Sequence, residues 1–332
     1  MKKWMTVLCP LLCAALLTSC SVFETETDKS VMHLSNPNAN ETTKKVYAYI
    51  CEMYENHIIS GQQESTWVDG PDYEMQYLFD ATGKLPAMRG LDFMDDDFDG
   101  VVERAKDWWA KGGLVTICWH CGSDFTGNYD DSKNDEITNW DAVLTKGTPE
   151  NEAFIENMDH AGQALLELQE AGVTVLWRPF HEFDGQWFWW GKGGPENFKK
   201  LWILMYDHFT NDLGLNNLIW VLGYSHNGED VGDWYPGDEY CDISGADSYE
   251  VAENGAEKSL YRKTRRVTSK TKPLWLHECG LIPTEEQLKK TPWGSFMTWH
   301  TEYLMDTNTK EQLSQLYNSE YVITLDELPS FA

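Results

Sequence analysis

Short apolar runs bounded by turn residues recur eight times along the chain, at 57–61, 87–93, 114–120, 173–180, 217–223, 242–247, 274–279 and 321–325. Amphipathic helical patterns separate most of them, at 103–111, 150–170, 196–211, 257–270 and 294–317, with a shorter one near 75–81. Runs that are apolar throughout, rather than alternating, belong to strands buried on both faces, and strands alternating with helices form a parallel sheet. Eight such units predict an α/β fold of the (β/α)8 TIM barrel type. A doubly wound open sheet would carry a Gly-rich dinucleotide turn after an early strand, and the sequence has none. The fifth helix is expected to be short or missing, because 224–240 reads as a loop containing Pro236 and Gly237.

The first residues stand apart from this pattern. Lys2 and Lys3 precede an apolar stretch too short to span a membrane, which ends in Leu17-Thr18-Ser19-Cys20. That ending resembles a bacterial lipobox, in which cleavage precedes the cysteine and the thiol takes the lipid. The expected organisation is a signal peptide at 1–19, a lipidated polar tether at 20–44 starting at Cys20, and a single catalytic domain at 45–332. The protein is then exported and anchored to a bacterial membrane by its N-terminus alone. The acidic stretch after Cys20 resembles surface-export signals, so the expected site is the outer membrane, on its surface or periplasmic side. Cys51, Cys118, Cys121, Cys241 and Cys279 remain in the body, an odd number that is no disulfide framework. Cys118-Trp119-His120-Cys121 has metal-site spacing but no second pair of ligands follows, so neither metal nor cofactor is expected.

Charge narrows the function classes. The formal charge of −28, which loss of the two signal lysines makes −30, excludes the basic face that nucleic acid or an anionic bilayer requires. It also disfavours polyanionic substrates. The 16 tryptophans suit a surface that grips flat, half-apolar ligands such as sugars, with a Trp-rich core as the alternative.

In a barrel of this kind chemistry sits at the C-terminal strand ends. Strand four ends in Trp177-Arg178-Pro179-Phe180-His181-Glu182, followed by an aromatic loop through Trp187, Trp189 and Trp190. Strand seven ends in His277-Glu278-Cys279-Gly280. Each glutamate alone could be a salt-bridged structural residue. Two carboxylates facing one aromatic cleft are what glycoside hydrolysis requires, one to protonate the leaving oxygen and one to attack the anomeric carbon.

Residues 178–185, Arg-Pro-Phe-His-Glu-Phe-Asp-Gly, resemble the signature of glycoside hydrolase family 26, best known for β-1,4-mannanases. So do Ser60-Gly61-Gln62-Gln63, Arg89-Gly90-Leu91-Asp92-Phe93, Trp119-His120, Asp247-Ser248-Tyr249 and Trp299-His300, the last placed here in the final helix. The resemblance covers nearly the whole body. It implies a retaining double displacement with Glu182 as acid/base and Glu278 as nucleophile, their carboxyls about 5–5.5 Å apart. It further implies Tyr249 orienting the nucleophile, His120 and His181 as polar sugar contacts, and Trp187 and Trp140 as sugar platforms. Arg89 or Arg178 would hold Glu278 ionised, and Tyr224 would wall the cleft. Trp119, Trp189, Trp190, Trp293 and Trp299 are left between core and cleft. The acidic runs at 95–97 and 130–136 read as solvated loops, since Asp135 stands where a calcium loop needs Gly.

The expected activity is therefore endo-acting hydrolysis of β-1,4-mannan, galactomannan or glucomannan by a monomer. Exo-acting release of mannobiose, β-1,3-xylanase or mixed-linkage glucanase action would use the same mechanism. A non-catalytic glycan-binding protein would have lost one of the glutamates.

Overall fold

A computed structural model describes residues 29–226, 232–249 and 256–331. Eight parallel strands close on themselves in chain order: β1 (Ile58–Gln63), β2 (Met88–Asp92), β3 (Leu114–Cys118), β4 (Val175–Arg178), β5 (Leu218–Ser225), β6 (Ile243–Ser248), β7 (Leu274–Cys279) and β8 (Ser295–Thr298). β8 pairs with β1 through Ile59 opposite Ser295, and β1 with β2 through Gly61 opposite Met88, which completes the (β/α)8 barrel. Every residue of β3, β4, β5, β6 and β7 is buried, as the continuous apolar runs require. Between β5 and β6 the described residues hold only single 3-10 turns, at Gly232–Trp234 and Asp238–Tyr240, in place of a full helix.

Two boundaries differ from expectation. The eighth barrel strand is Ser295–Thr298, inside the stretch read as helix, and 321–325 yields only β9 (Val322–Ile323), which pairs with the start of β1 outside the closed ring. Residues 35–44 are not tether. Asn40 caps the helix Glu41–Met53 by accepting from the Thr43 N–H at 2.8 Å, and its own N–H donates to the Asn216 carbonyl at 2.8 Å. Asn36, which is buried, donates to the Leu215 carbonyl at 3.3 Å, so this polar segment is consumed in closing the barrel floor. The signal-peptide and Cys20 assignments lie outside the described residues. The five body cysteines are free and buried.

Helices at Phe98–Ala110, Pro149–Glu170 and Gly194–Asp207 lay their apolar faces on the barrel. Below the strand ends the barrel is filled by Ile59, Met88, Leu114, Leu176, Ile219, Val221, Ile243 and Met297. This apolar plug leaves the polar side chains of the strands at the C-terminal rim.

Candidate active site

A cavity of about 560 Å³ opens at that rim, lined by residues from the ends of β1, β2, β3, β4, β6, β7 and β8. Glu278, from β7, is 2% exposed. A register shift between Ala246 and Asp247 brings Asp247 opposite Glu278, as bulges beside active sites re-aim side chains. Arg178 at the end of β4 spans the two acids. Its Nη2 donates to Glu278 Oε1, and its Nη1 to Asp247 Oδ2 at 3.1 Å. The Tyr249 hydroxyl donates to Glu278 Oε2 at 2.5 Å. Burial and the Glu278 and Glu182 charges push that hydroxyl well above its ordinary range, which keeps it a donor. Both Glu278 oxygens are thus held, one by the Arg178 guanidinium and one by the Tyr249 hydroxyl.

Glu182 sits in the opposite environment. The chain turns sharply after β4, with Phe180 at φ 50° and Glu182 at φ 54°, and the Glu182 N–H donates to the Gly223 carbonyl at 2.7 Å. Among the described residues no cation contacts its side chain; Trp187 Nε1 donates to Oε2 at 3.0 Å. Burial, reinforced by the Glu278 charge, raises its pKa from 4.5 to about 8, against a smaller pull from the Trp187 N–H and Arg178. One carboxyl is therefore protonated at neutral pH beside another held by an arginine and a phenol. Unlike environments around two neighbouring carboxyls suit one to act as an acid and the other as a nucleophile.

Around this pair stand two histidines. His181 Nε2 lies 3.8 Å from Glu278 Oε1, and burial followed by the Arg178 and His120 charges holds its pKa well below normal, so it is neutral. His120 meets the His181 ring edge-on, centroids 4.6 Å apart. Asp92 fixes it twice, accepting from the His120 N–H at 2.9 Å and facing Nδ1 at 2.5 Å. Potential donor clusters for a metal, Asp92/Cys118/His120 and His181/Asp247/Glu278, are thus engaged already. Burial pushes the Cys118 thiol well up, away from the thiolate a metal needs, and Arg178 fills the second cluster with a permanent cation.

The sequence profile of glycosyl hydrolase family 26 matches residues 35–327. The chain belongs to glycosyl hydrolase family 26. Over 317 residues it is 33% identical to a mannan endo-1,4-β-mannosidase of Thermothelomyces thermophilus, covering 89% of this chain and 63% of that protein. It is 30% identical to the mannan endo-1,4-β-mannosidase of Bacillus subtilis, covering 88% of this chain and 89% of that one. The chain spans 54% and 51% of the two Piromyces relatives, so it reaches about half to three-fifths of the length of these first relatives. Among solved structures, a β-mannanase from a symbiotic protist of the termite Reticulitermes speratus, complexed with a gluco-manno-oligosaccharide, superposes with a TM-score of 0.82 at 31% identity, covering 90% of this chain and 98% of that one.

Within this family 26 fold, the expected site residues divide. Glu182, Glu278, His120, His181 and Tyr249 line one cavity, with Arg178 beneath and Trp187 on Glu182. Three others do not. Arg89 cannot hold Glu278, because its guanidinium is spent on Glu64 at 2.7 Å and Asp72 at 2.8 Å. Tyr224 is 0% exposed and packs edge-on against Phe183 behind the site, so it walls nothing. Trp140 stacks on Trp189 and under Gly193, at the outer side of the aromatic loop. Trp119, Trp189, Trp190 and Trp293 are buried. Trp299 and His300 follow β8 rather than lying in a helix, and both line the cavity together with Trp67, Tyr129 and Phe188. Trp67 follows the Ser60–Gln63 motif within four residues, a position that would have signalled it.

Proposed function

We propose that the chain is a retaining endo-β-1,4-mannanase, acting on mannan, galactomannan or glucomannan. The observation that carries this reading is the pairing of two strand-end carboxyls in unlike settings, Glu182 lifted to about 8 and Glu278 held by Arg178 and Tyr249. The names of the relatives supply the mannan specificity. Glu278 attacks the anomeric carbon while Glu182 gives its proton to the departing oxygen, leaving a covalent glycosyl-enzyme. Esterification removes the Glu278 charge and with it one cause of Glu182's raised pKa. Glu182 then reverts toward an ordinary carboxylate able to deprotonate the water that releases the sugar. His120, held by Asp92, and neutral His181 are placed to hydrogen-bond the reacting sugar, and Trp187 to pack on an adjoining ring.

Glu182→Gln and Glu278→Gln are each expected to lower kcat on mannan by at least about a thousandfold without altering the fold by circular dichroism, the order of loss seen when a reacting group is removed. Wild-type turnover in either variant removes that residue from its role. Product ladders of mixed length in the first minutes mark endo action, whereas mannobiose alone marks the exo alternative.

The N-terminal part of the proposal is an exported lipoprotein anchored through Cys20, supported by Leu17-Thr18-Ser19-Cys20 after a charged and apolar leader. Cys20→Ala should abolish radiolabelled palmitate incorporation in a bacterial host and release the enzyme from the membrane fraction. Label retained by the variant overturns it.

A further inference from the structure

Among the buried carboxylates that the mechanism does not use, Glu74 reaches two loops of the cleft. Glu74 stands in the first turn of the helix Tyr73–Thr82 and is 0% exposed. Its Oε2 accepts from the Ser65 N–H at 3.1 Å, and its Oε1 from the Ser65 hydroxyl at 2.7 Å. The same Oε1 accepts from the Thr301 N–H at 3.0 Å. Ser65 lies just past β1 and Thr301 just past β8. One carboxylate therefore ties together two loops that both enter the cleft.

Thr301 does not adopt its conformation unaided. Its φ of 39° and ψ of −109° are foreign to a β-branched residue, and such backbone persists only where the surroundings over-determine it. Glu74 holds the N–H. On the side chain, Thr301 Oγ1 donates to Glu302 Oε2 at 3.0 Å and lies 2.6 Å from His300 Nδ1, which orients the imidazole. The edge-on partner of that imidazole is Trp67, on the other loop, with centroids 4.8 Å apart at 81°.

Trp67 is 54% exposed and lines the same cavity as Glu182 and Glu278. A series of ring contacts leads outward to it from the nucleophile's neighbour: His181 to His120 at 4.6 Å, His120 to Trp299 at 6.3 Å, Trp299 to His300 at 5.4 Å, then Trp67. An exposed indole held rigid at the end of such a wall offers a face to the C–H surface of a pyranose. The nearby Glu302 carboxylate turns anionic sugars away.

We infer that Glu74 is a positioning residue that locks the loops after β1 and β8 together, so that Trp67 and His300 form a preorganised distal subsite for a further neutral hexopyranose ring. The inference rests on the glycan-hydrolase reading of the cleft. The test is steady-state kinetics of wild type, Trp67→Ala, Glu74→Ala, Glu74→Gln and the Trp67→Ala/Glu74→Ala double variant on β-1,4-manno-oligosaccharides of two to six units.

For the longest substrates, Trp67→Ala and Glu74→Ala should each lower kcat/KM about tenfold, or ~1.4 kcal/mol. The loss should fall on KM rather than kcat and shrink as the substrate shortens. The double variant should be little worse than either single one, because both act through one platform. Glu74→Gln keeps an amide oxygen for Thr301 and should lie closer to wild type. An equal loss at every length makes Glu74 merely structural and overturns its role. An unchanged KM in Trp67→Ala, whose exposed side chain does not threaten folding, overturns the subsite. Wild-type enzyme that cleaves no manno-oligosaccharide overturns the proposed function instead.

Discussion

At Glu182 two forces act on one proton: burial disfavours the charged form, and the Glu278 carboxylate adds repulsion. The alkaline limb of kcat/KM should therefore fall as pH rises through about 8. The same shift has a cost in stability. In the unfolded chain the group titrates near 4.5, so between about 4.5 and about 8 the folded protein keeps a proton that the unfolded chain has released. Stability from this group is full below that window and is lost as pH rises across it. Calorimetry should show Glu182→Gln matching wild type near pH 4 and gaining Tm over it progressively toward pH 9. A variant less stable than wild type at pH 9 contradicts a raised pKa. Both glutamates were legible in the sequence because strand ends and an aromatic loop mark them. Asp92 was not legible as the partner of His120, since the pairing joins adjacent strand ends and no spacing announces that one carboxylate takes both the His120 N–H and its ring.

Elements were legible where they were long or purely apolar. The stretch 294–317 was misread because Phe296, Trp299, Tyr303 and Leu304 fall at helical spacing, although the four residues Ser295–Thr298 form the strand that closes the barrel. Conversely, the β-branched 321–325 looked like a full strand and contributes two paired residues. Only closure decides between them, and closure is a property of the ring. The same neighbour relations separate the two arginines. Arg89 on β2 joins Glu64 past β1, with Arg104 closing on the other Glu64 oxygen at 2.7 Å, whereas Arg178 on β4 reaches across to β6 and β7. Arg89→Ala leaves a buried acid with half its partners and should cost about 3–5 kcal/mol in urea unfolding while leaving the pH midpoints of kcat/KM in place. Arg178→Ala should instead lower kcat, because Glu278 and Asp247 both lose the guanidinium that positions them. An Arg89→Ala variant whose kcat falls as far as that of Arg178→Ala would return that residue to the nucleophile.

For the whole molecule, tryptophan and charge take separate meanings. Nine tryptophans are among the largest fully buried side chains, and of those near β4, Trp177, Trp189 and Trp190 are buried while only Trp187 touches a reacting group. The buried indoles still serve the site. Trp190 Nε1 donates to the His181 carbonyl and Trp189 Nε1 to the Cys121 carbonyl, both at 2.8 Å, so the core bolts down the loops after β4 and β3. Charge acts at longer range. The cavity carries Glu64, Asp92, Asp95, Asp97, Asp130 and Glu302 beside the reacting pair, and Arg104 is the only Lys or Arg among its described lining residues. Such a cleft repels polyanions and is indifferent to neutral chains. Raising salt from 0.01 to 0.5 M shortens the screening length from ~30 Å to below ~8 Å. On unmodified mannan kcat/KM should change less than about twofold over that range, as no charge on the substrate is screened. On carboxymethylated mannan of the same length it should start low and rise several-fold with salt. Faster cleavage of the carboxymethylated chain at low salt than at high salt contradicts an acidic cleft built for a neutral polysaccharide.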